Sequence, residues 1–245
     1  MNRRVFLYTL VSSCVFANGS LLGSDVYLSS SEFESLKLLR KRLIRLIHFI
    51  GYANFNIVSF DDALFYARNY PKIGSFTKDE LNLIEKLFYE KQRQYGFYGA
   101  KTCSDIHNKI SKKDVIKIPY TGHYLFLGKP YDDYMRLRKD IGDTLILTSG
   151  VRNVVKQLYL YVNKIYKKGG NITKATIDIA PPAYSYHTVS DFDVGRVGWG
   201  YRNFTSDFAL TNEFRKMRKL SYISMRYDKN NNDGVRYEPW HVEVI

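Results

Sequence analysis

The sequence predicts an α+β protein: a small, largely antiparallel sheet with flanking helices around a candidate metal site, preceded by an N-terminal helical unit. Three observations carry this prediction. Apolar residues follow helical spacing up to about residue 100, short β-rich runs enter from about 115, and the two kinds of segment do not alternate as in a parallel β-α-β sheet. Apolar residues make up 45% of the 245 positions and aromatics 16%, enough for a sizeable core, which excludes a disordered chain. Six prolines, sixteen glycines and no low-complexity run exclude fibrous and repeat architectures.

In the helical unit, spanning 25–100, Ser29 and Glu32 have capping-box spacing, and Phe33, Leu36, Leu39, Leu43, Leu46 and Ile47 form one apolar stripe that stops at Gly51. Ser59 opens a second helix over Phe60–Arg68, closed by Pro71. Thr77 and Glu80 open a third, carrying Leu81, Ile84, Leu87 and Phe88 towards Gly96. In the second segment, spanning 115–245, Val115–Ile118, Tyr124–Phe126 and Thr144–Thr148 read as strands, Tyr131–Lys139 and Val154–Lys168 as helices. Thr176–Ile179, Asp191–Val194, Tyr222–Tyr227 and Val235–Val244 read as further strands, with a helix near Asp207–Leu220 and a turn at Asp233-Gly234.

The N-terminus reads as a cleaved export signal over 1–19: Arg3-Arg4, a short apolar run, then Ala17-Asn18-Gly19. The arginine pair is similar to a twin-arginine signal, and a general secretory signal is the other route. Periplasm or cell envelope is therefore the expected location. Val11–Cys14 has a faint lipoprotein-box pattern, but the apolar run continues past Cys14. No stretch beyond this terminus approaches the ~18 consecutive apolar residues of a membrane span. Of the two cysteines, Cys14 and Cys103, neither belongs to a disulfide framework.

The formal net charge is +13, and loss of Arg3 and Arg4 would take two charges from it, leaving +11. Such a charge fits nucleic acid, anionic lipid or an anionic polymer. Export argues against nucleic acid, and the basic residues are scattered over helices with solvated faces, so the total favours an acidic setting such as a cell wall.

Chemistry concentrates near the C-terminus. His187 precedes Asp193 in Ser185-Tyr-His187-Thr-Val-Ser-Asp191-Phe-Asp193-Val-Gly195, and His241 follows Glu238 in Glu238-Pro-Trp-His241. In an unbroken strand Glu238 and His241 would point to opposite faces, but Pro239 cannot donate to a ladder and predicts a bend that turns both towards one cavity. Two histidines, one ligating carboxylate and one further carboxylate are the parts of a catalytic zinc site, with an open position for water and a base to act on it. His48, His107 and His123 have no such company. Asp228–Gly234 is similar to a calcium loop, but its glycine is one place late and Pro239 stands where a bidentate Glu is needed.

Together, Ser185-x-His187, Asp193 and Glu238-Pro-Trp-His241, preceded by Ser149-Gly150-Val-Arg152 and Gln157, resemble the zinc D-alanyl-D-alanine carboxypeptidases of the VanY type, with a hedgehog-type zinc peptidase fold, over about 115–245. The resemblance implies one zinc per chain bound by His187, Asp193 and His241. It implies Glu238 as general base and Arg152 as a catalytic residue that stabilises the oxyanion or holds substrate. Ser185, Gln157 and Ser149 are the implied substrate contacts. The expected substrates are peptidoglycan stem peptides. The family places six residues between its first histidine and its aspartate, with a glycine three after the histidine; this chain has five and Ser190. Asp191 is therefore a rival ligand to Asp193. The rival function from another class is a catalytically silent wall-binding protein on the same fold; an L,D-carboxypeptidase or endopeptidase of peptidoglycan is a third reading.

Overall fold

A computed structural model describes residues 25–245. The expected export signal over 1–19, with Arg3, Arg4 and Cys14, lies outside the described residues. The helices α1 (Ser30–Ile50), α2 (Tyr52–Phe55), α3 (Phe60–Asn69) and α4 (Lys78–Tyr89) come first. A hairpin of β1 (Val115–Lys117) and β2 (Tyr124–Phe126) follows, then α5 (Lys129–Ile141), β3 (Leu145–Ser149), α6 (Val154–Lys167) and α7 (Ile172–Asp178). The chain ends with β4 (Phe192–Arg196), α8 (Asn212–Met217), β5 (Ser224–Met225) and β6 (His241–Glu243). The main sheet is antiparallel in the order β3-β4-β6-β5. No helix of the described residues is long and apolar enough to cross a membrane.

Helix starts follow local chemistry. Ser29 and Thr77 form complete capping boxes with Glu32 and Glu80, satisfying amides that the first turn leaves free. Leu36, Leu39, Leu43 and Leu46 of α1 then enter one apolar cluster with Leu83, Ile84 and Leu87 of α4 and Val155, Leu158, Val162 and Ile165 of α6. The N-terminal helices and α6 thus share a core. A second cluster lies between α5, α8 and the sheet, around Tyr134, Leu137, Leu147, Phe192, Val194 and Trp240.

Four strand or helix expectations change. Thr176–Ile179 alternates as a strand would, yet it is mostly in α7. Asn171 caps that helix through the Lys174 amide at 2.8 Å, and Ile172, Ala175 and Thr176 share one buried face. The expected helix over 207–220 breaks at Thr211, whose hydroxyl accepts from the Phe214 amide at 3.1 Å and starts α8 afresh, after a short 3₁₀ turn over Ser206–Leu210. The run 222–227 pairs only at β5. The run 235–244 pairs only at β6, because Pro239 interrupts it and the Glu238 amide donates to the Tyr227 carbonyl instead, at 2.9 Å. The expected turn at Asp233-Gly234 is not a strand-to-strand turn: it docks on 96–98, where a Cβ on Gly234 would lie 2.0 Å from the Gly96 carbonyl oxygen.

One buried ion pair fastens α1 to α4. The Arg42 Nε donates to Glu80 Oε1 and Oε2 at 3.1 and 3.0 Å, and its Nη1 donates to the Ile73 and Gly74 carbonyls at 3.2 and 2.5 Å. Glu80 is fully buried and also accepts from the Thr77 amide at 2.7 Å. Removing its carboxylate strands the guanidinium and opens the cap together. Glu80→Ala is therefore expected to cost about 3–5 kcal/mol, the cost of breaking a buried pair on one side. Urea unfolding of Glu80→Ala against the wild type checks this, and a loss under 1 kcal/mol would contradict it.

Candidate metal centre and active site

Strand β4 organises the site. Its Asp193 lies opposite Ser149 of β3 and opposite His241 of β6, so the three residues stand abreast across three strands on one face. The ladder between β3 and β4 is irregular between Leu147 and Ser149. That irregularity ends β3 beside Asp193 and sends the chain through Gly150 and Val151 to Arg152 and the Asn153 cap of α6.

His187 arrives from a separate 3₁₀ turn, Tyr186–Thr188. The Arg152 amide donates to the His187 carbonyl at 3.1 Å, the Thr188 hydroxyl donates to the Arg152 carbonyl at 3.1 Å, and His187 Nδ1 donates to the Gly150 carbonyl at 2.8 Å. Position 150 requires glycine, because a Cβ there would sit 1.9 Å from the Tyr124 carbonyl oxygen. With Nδ1 committed to a carbonyl, His187 presents the Nε2 lone pair to the interior.

His241 is turned the opposite way. Its Nε2 donates to Asp191 Oδ2 at 3.0 Å, which leaves Nδ1 facing Asp193 Oδ1 at 3.1 Å. The expected bend at Pro239 is present: the His241 amide donates to the Glu238 carbonyl at 3.1 Å, and Glu238 Oε2 lies 3.9 Å from His241 Nδ1.

Three donor atoms, one each from His187, Asp193 and His241, lie within 4.8 Å of one another, and all three residues are buried. His187 Nε2 and Asp193 Oδ1 have no hydrogen-bond partner, although they are only 3.3 Å apart. Orphaned buried atoms of this kind are costly unless something else satisfies them. A tetrahedral ion with ligands at about 2.0–2.1 Å holds its donors about 3.3–3.4 Å apart, close to the 3.3 and 3.1 Å that separate Asp193 Oδ1 from His187 Nε2 and His241 Nδ1. Two imidazoles and one carboxylate, with a fourth side open towards a cleft, suit a catalytic divalent metal of the zinc kind.

The electrostatics fit a cation. Burial disfavours the charged form of Asp193, but His187 and Arg152 hold its carboxyl well below the usual range. Burial, then the Arg152 charge, pushes His187 down to about 4, so the ring is neutral and able to ligate. For His241 burial works in the same direction, but Asp191 and Asp193 outweigh it and raise the ring to about 9; the pocket stabilises a positive charge at that point. Burial pushes Glu238 up to about 7, opposed by His241.

Asp191 and Asp193 have different places. Asp193 Oδ2 accepts from Arg152 Nη2 while Oδ1 faces the two imidazoles. Asp191 sits behind His241. Its oxygens accept from Arg226 Nε at 2.5 Å, the Val244 amide at 3.2 Å and the Ser190 hydroxyl at 3.1 Å, as well as from His241. It is saturated by donors and orients an imidazole from outside, as carboxylates behind metal-bound histidines do.

Arg152, Ser149 and Glu238 line a cleft of about 300 Å³, together with Asp193, Lys156 and Tyr52. The Ser149 hydroxyl accepts from Arg152 Nε at 2.8 Å. Ser185 and Gln157, expected as substrate contacts, are not on this cleft wall. Ser185 is buried with its carbonyl bonded to the Thr102 hydroxyl, and Gln157 is fully buried with Nε2 donating to the Ala180 carbonyl at 2.7 Å. The sequence reading did not find Arg226 or Lys156. Arg226 is distant in sequence from everything it touches in the site; Lys156 did carry a signal, a cation among the apolar positions of the first turn of α6.

If this geometry holds a metal, zinc content measured after dialysis should fall to a small fraction in His241→Ala and Asp193→Ala and stay at wild-type level in His48→Ala, on exposed α1 surface. Asp191→Asn should retain the site with an affinity weakened roughly 10–100-fold, the usual effect of losing a group behind a ligand. Full zinc in Asp193→Ala with none in Asp191→Asn would reverse the roles of the two aspartates.

In comparisons with known proteins, residues 130–245 match the family of VanY, D-alanyl-D-alanine carboxypeptidase. No curated protein matches the chain. Among solved structures, the LdcB LD-carboxypeptidase is 22% identical, covering 56% of this chain and 70% of its own, with a TM-score of 0.45. The vancomycin-resistance D,D-dipeptidase VanXYg, in complex with a D-Ala-D-Ala phosphinate analogue, is 18% identical over 53% of this chain, with a TM-score of 0.47; the match spans only 55% of VanXYg. A mutant of the vancomycin-resistance D,D-pentapeptidase VanY in complex with Zn(II) is 21% identical over 53% of this chain and 77% of its own, with a TM-score of 0.38. The helices α1 to α4 and the β1–β2 hairpin lie outside the family match. It is the segment that carries the sheet, Arg152 and the buried histidine pair that matches the VanY family of D-alanyl-D-alanine carboxypeptidases.

Proposed function

We propose that this protein is an exported zinc carboxypeptidase that hydrolyses D-Ala-terminated stem peptides of peptidoglycan. The observation that carries the reading is the pair of orphaned buried donors, His187 Nε2 and Asp193 Oδ1, beside His241 Nδ1 and with Glu238 at 3.9 Å on the cleft side. The family match over 130–245 supports the substrate class. A wall substrate places the enzyme in the periplasm or cell envelope, in keeping with the export signal expected over 1–19.

His187, Asp193 and His241 would hold one zinc ion. When bound, zinc supplies a Lewis acid that acidifies water and polarises a peptide carbonyl. Glu238 does not ligate; it faces the open side, where its carboxylate takes the proton from the attacking water and returns it to the leaving amine. Burial favours the protonated form of Glu238, which suits a group that must both accept and release a proton. Arg152 is held by Ser149 and Asp193 and lines the cleft, where its remaining N–H groups are donors for a developing oxyanion. The same contact fixes the Asp193 rotamer. Arg152 thereby links ligand geometry to substrate contact.

The test is turnover of a D-Ala-terminated muropeptide by zinc-loaded protein, read as the mass of one alanine lost. Glu238→Ala should keep its zinc and fold and lose roughly 10²–10⁴-fold in kcat, the range for a general acid–base. Arg152→Ala should lose about 10²–10³-fold, the range for one oxyanion donor. Near-normal turnover by zinc-loaded Glu238→Ala would overturn the mechanism. Zinc binding with no turnover of any muropeptide would favour the silent wall-binding alternative.

A further inference from the structure

We propose that Lys156 is the specificity-determining cation of the cleft and receives the free C-terminal carboxylate of the peptide, an assignment that rests on the peptidase reading above. The other cations on the cleft wall are already paired. Arg152 is bound to Asp193, and Lys164 and Arg236 share Asp178 at 3.3 and 3.6 Å. Lys156 is only 4% exposed, yet it has no acidic partner and no hydrogen-bond acceptor among the described residues.

Its position makes this costly. Lys156 is the third residue of α6, in the first turn, where the helix dipole favours anions and opposes a cation. Arg152 is four residues earlier and adds like charge. What Lys156 does have is aromatic: its Nζ lies 4.4 Å from the centre of the Tyr52 ring and 5.8 Å from that of Phe55. Ring faces offset part of the lost hydration of an ammonium, but they supply no counter-charge. Burial, followed by the Arg152 charge, accordingly pulls the ammonium down to about 7. His123, beside Tyr52, is driven down to about 3, by burial first and then by Lys156 and Arg152, so its ring is neutral and supplies no counter-charge.

A buried cation at a helix N-terminus, with no partner and facing a cleft, destabilises the protein unless an anion completes it. The cleft sets the geometry of that anion. Asp193 and Glu238, where the bond would be cut, share one cleft with Arg152, Lys156 and Tyr52. A carboxypeptidase substrate has its terminal carboxylate one amino acid beyond the scissile carbonyl. The helix N-terminus, Arg152 and Lys156 together provide a positive end for it, and Tyr52 is donated by α2, outside the family match.

The test uses the zinc-loaded full chain with two probes, diacetyl-L-Lys-D-Ala-D-Ala as the free acid and as its C-terminal amide. The wild type should prefer the acid. Lys156→Met should raise KM for the acid by about 10–100-fold, the range of a hydrogen bond to a charged group, with kcat little changed and the amide unaffected. Lys156→Arg should recover most of the preference, and Lys156→Met should melt at a higher temperature than the wild type. Equal effects of Lys156→Met on acid and amide, or none on either, would overturn the assignment while leaving the peptidase reading intact. Binding to Glu238→Ala by calorimetry separates the two further. If no probe is cleaved by the wild type but the acid still binds more tightly than the amide, and only with Lys156 present, the peptidase reading fails and the carboxylate site stands. If neither probe binds, both fall.

Discussion

An ionised aspartate cannot be buried in the middle of a sheet without partners, and Asp193 governs this fold because of that constraint. The desolvation cost is several kcal/mol for an isolated ion. Its two oxygens divide the compensation: Oδ2 takes the Arg152 guanidinium, and Oδ1 faces two imidazoles that hold no proton for it by hydrogen bond. One side of the carboxylate is thus satisfied by the chain, and the other is left for a cation. Everything nearby follows from holding that geometry. The irregular end of β3 delivers Arg152, β6 sets His241 opposite Asp193, and the 185–188 turn is laced to 150–152 so that His187 presents Nε2.

The charges are arranged in two layers. Around the candidate metal position stand Asp193 and neutral His187; behind His241 stand Asp191 and Arg226, an ion pair at 2.5 Å that contacts Tyr186 by a guanidinium over its ring. Arg226 keeps Asp191 ionised and in place, and Asp191 fixes which ring nitrogen of His241 carries the proton. The shortened spacing between His187 and Asp193 thereby acquires a physical meaning: the loop brings a carboxylate to position 191, where it supports the second imidazole from behind.

The N-terminal helices support the site from outside the family match. Asn56, fully buried at the end of α2, bonds through Nδ2 to the Gly122 carbonyl at 2.9 Å and accepts the Asn153 amide on its own carbonyl at 2.8 Å, while Asn153 Nδ2 reaches the Ile57 carbonyl at 3.3 Å. The start of α6, where Arg152 and Lys156 lie, is therefore positioned by α2 and by the β1–β2 hairpin together. The shared apolar core of α1, α4 and α6 makes that positioning rigid, because α6 cannot shift without repacking Leu39, Leu43 and Leu87.

Local chemistry in the sequence determined much of this protein. Capping boxes at Ser29 and Thr77, the apolar stripe of α1 and the stop at Gly51 depend only on neighbours within a few residues. So does the bend at Pro239 that brings Glu238 and His241 to one side, and these features are legible without a fold. The residue types at 187, 193 and 241 also marked out a candidate metal site. What the tertiary structure alone decided was which atoms face which. The alternation at 176–179 was overridden because Asn171 caps α7 and Ile172 and Ala175 find a core to enter. The different surroundings of Asp191 and Asp193 depend on Arg226 and Val244, residues far along the chain whose approach is set by β5 and β6. Lys156 became an unpaired charge only when α2 closed over it. Burial and counter-charges are properties of distant segments packed together, and the spacing of residues along one segment does not contain them.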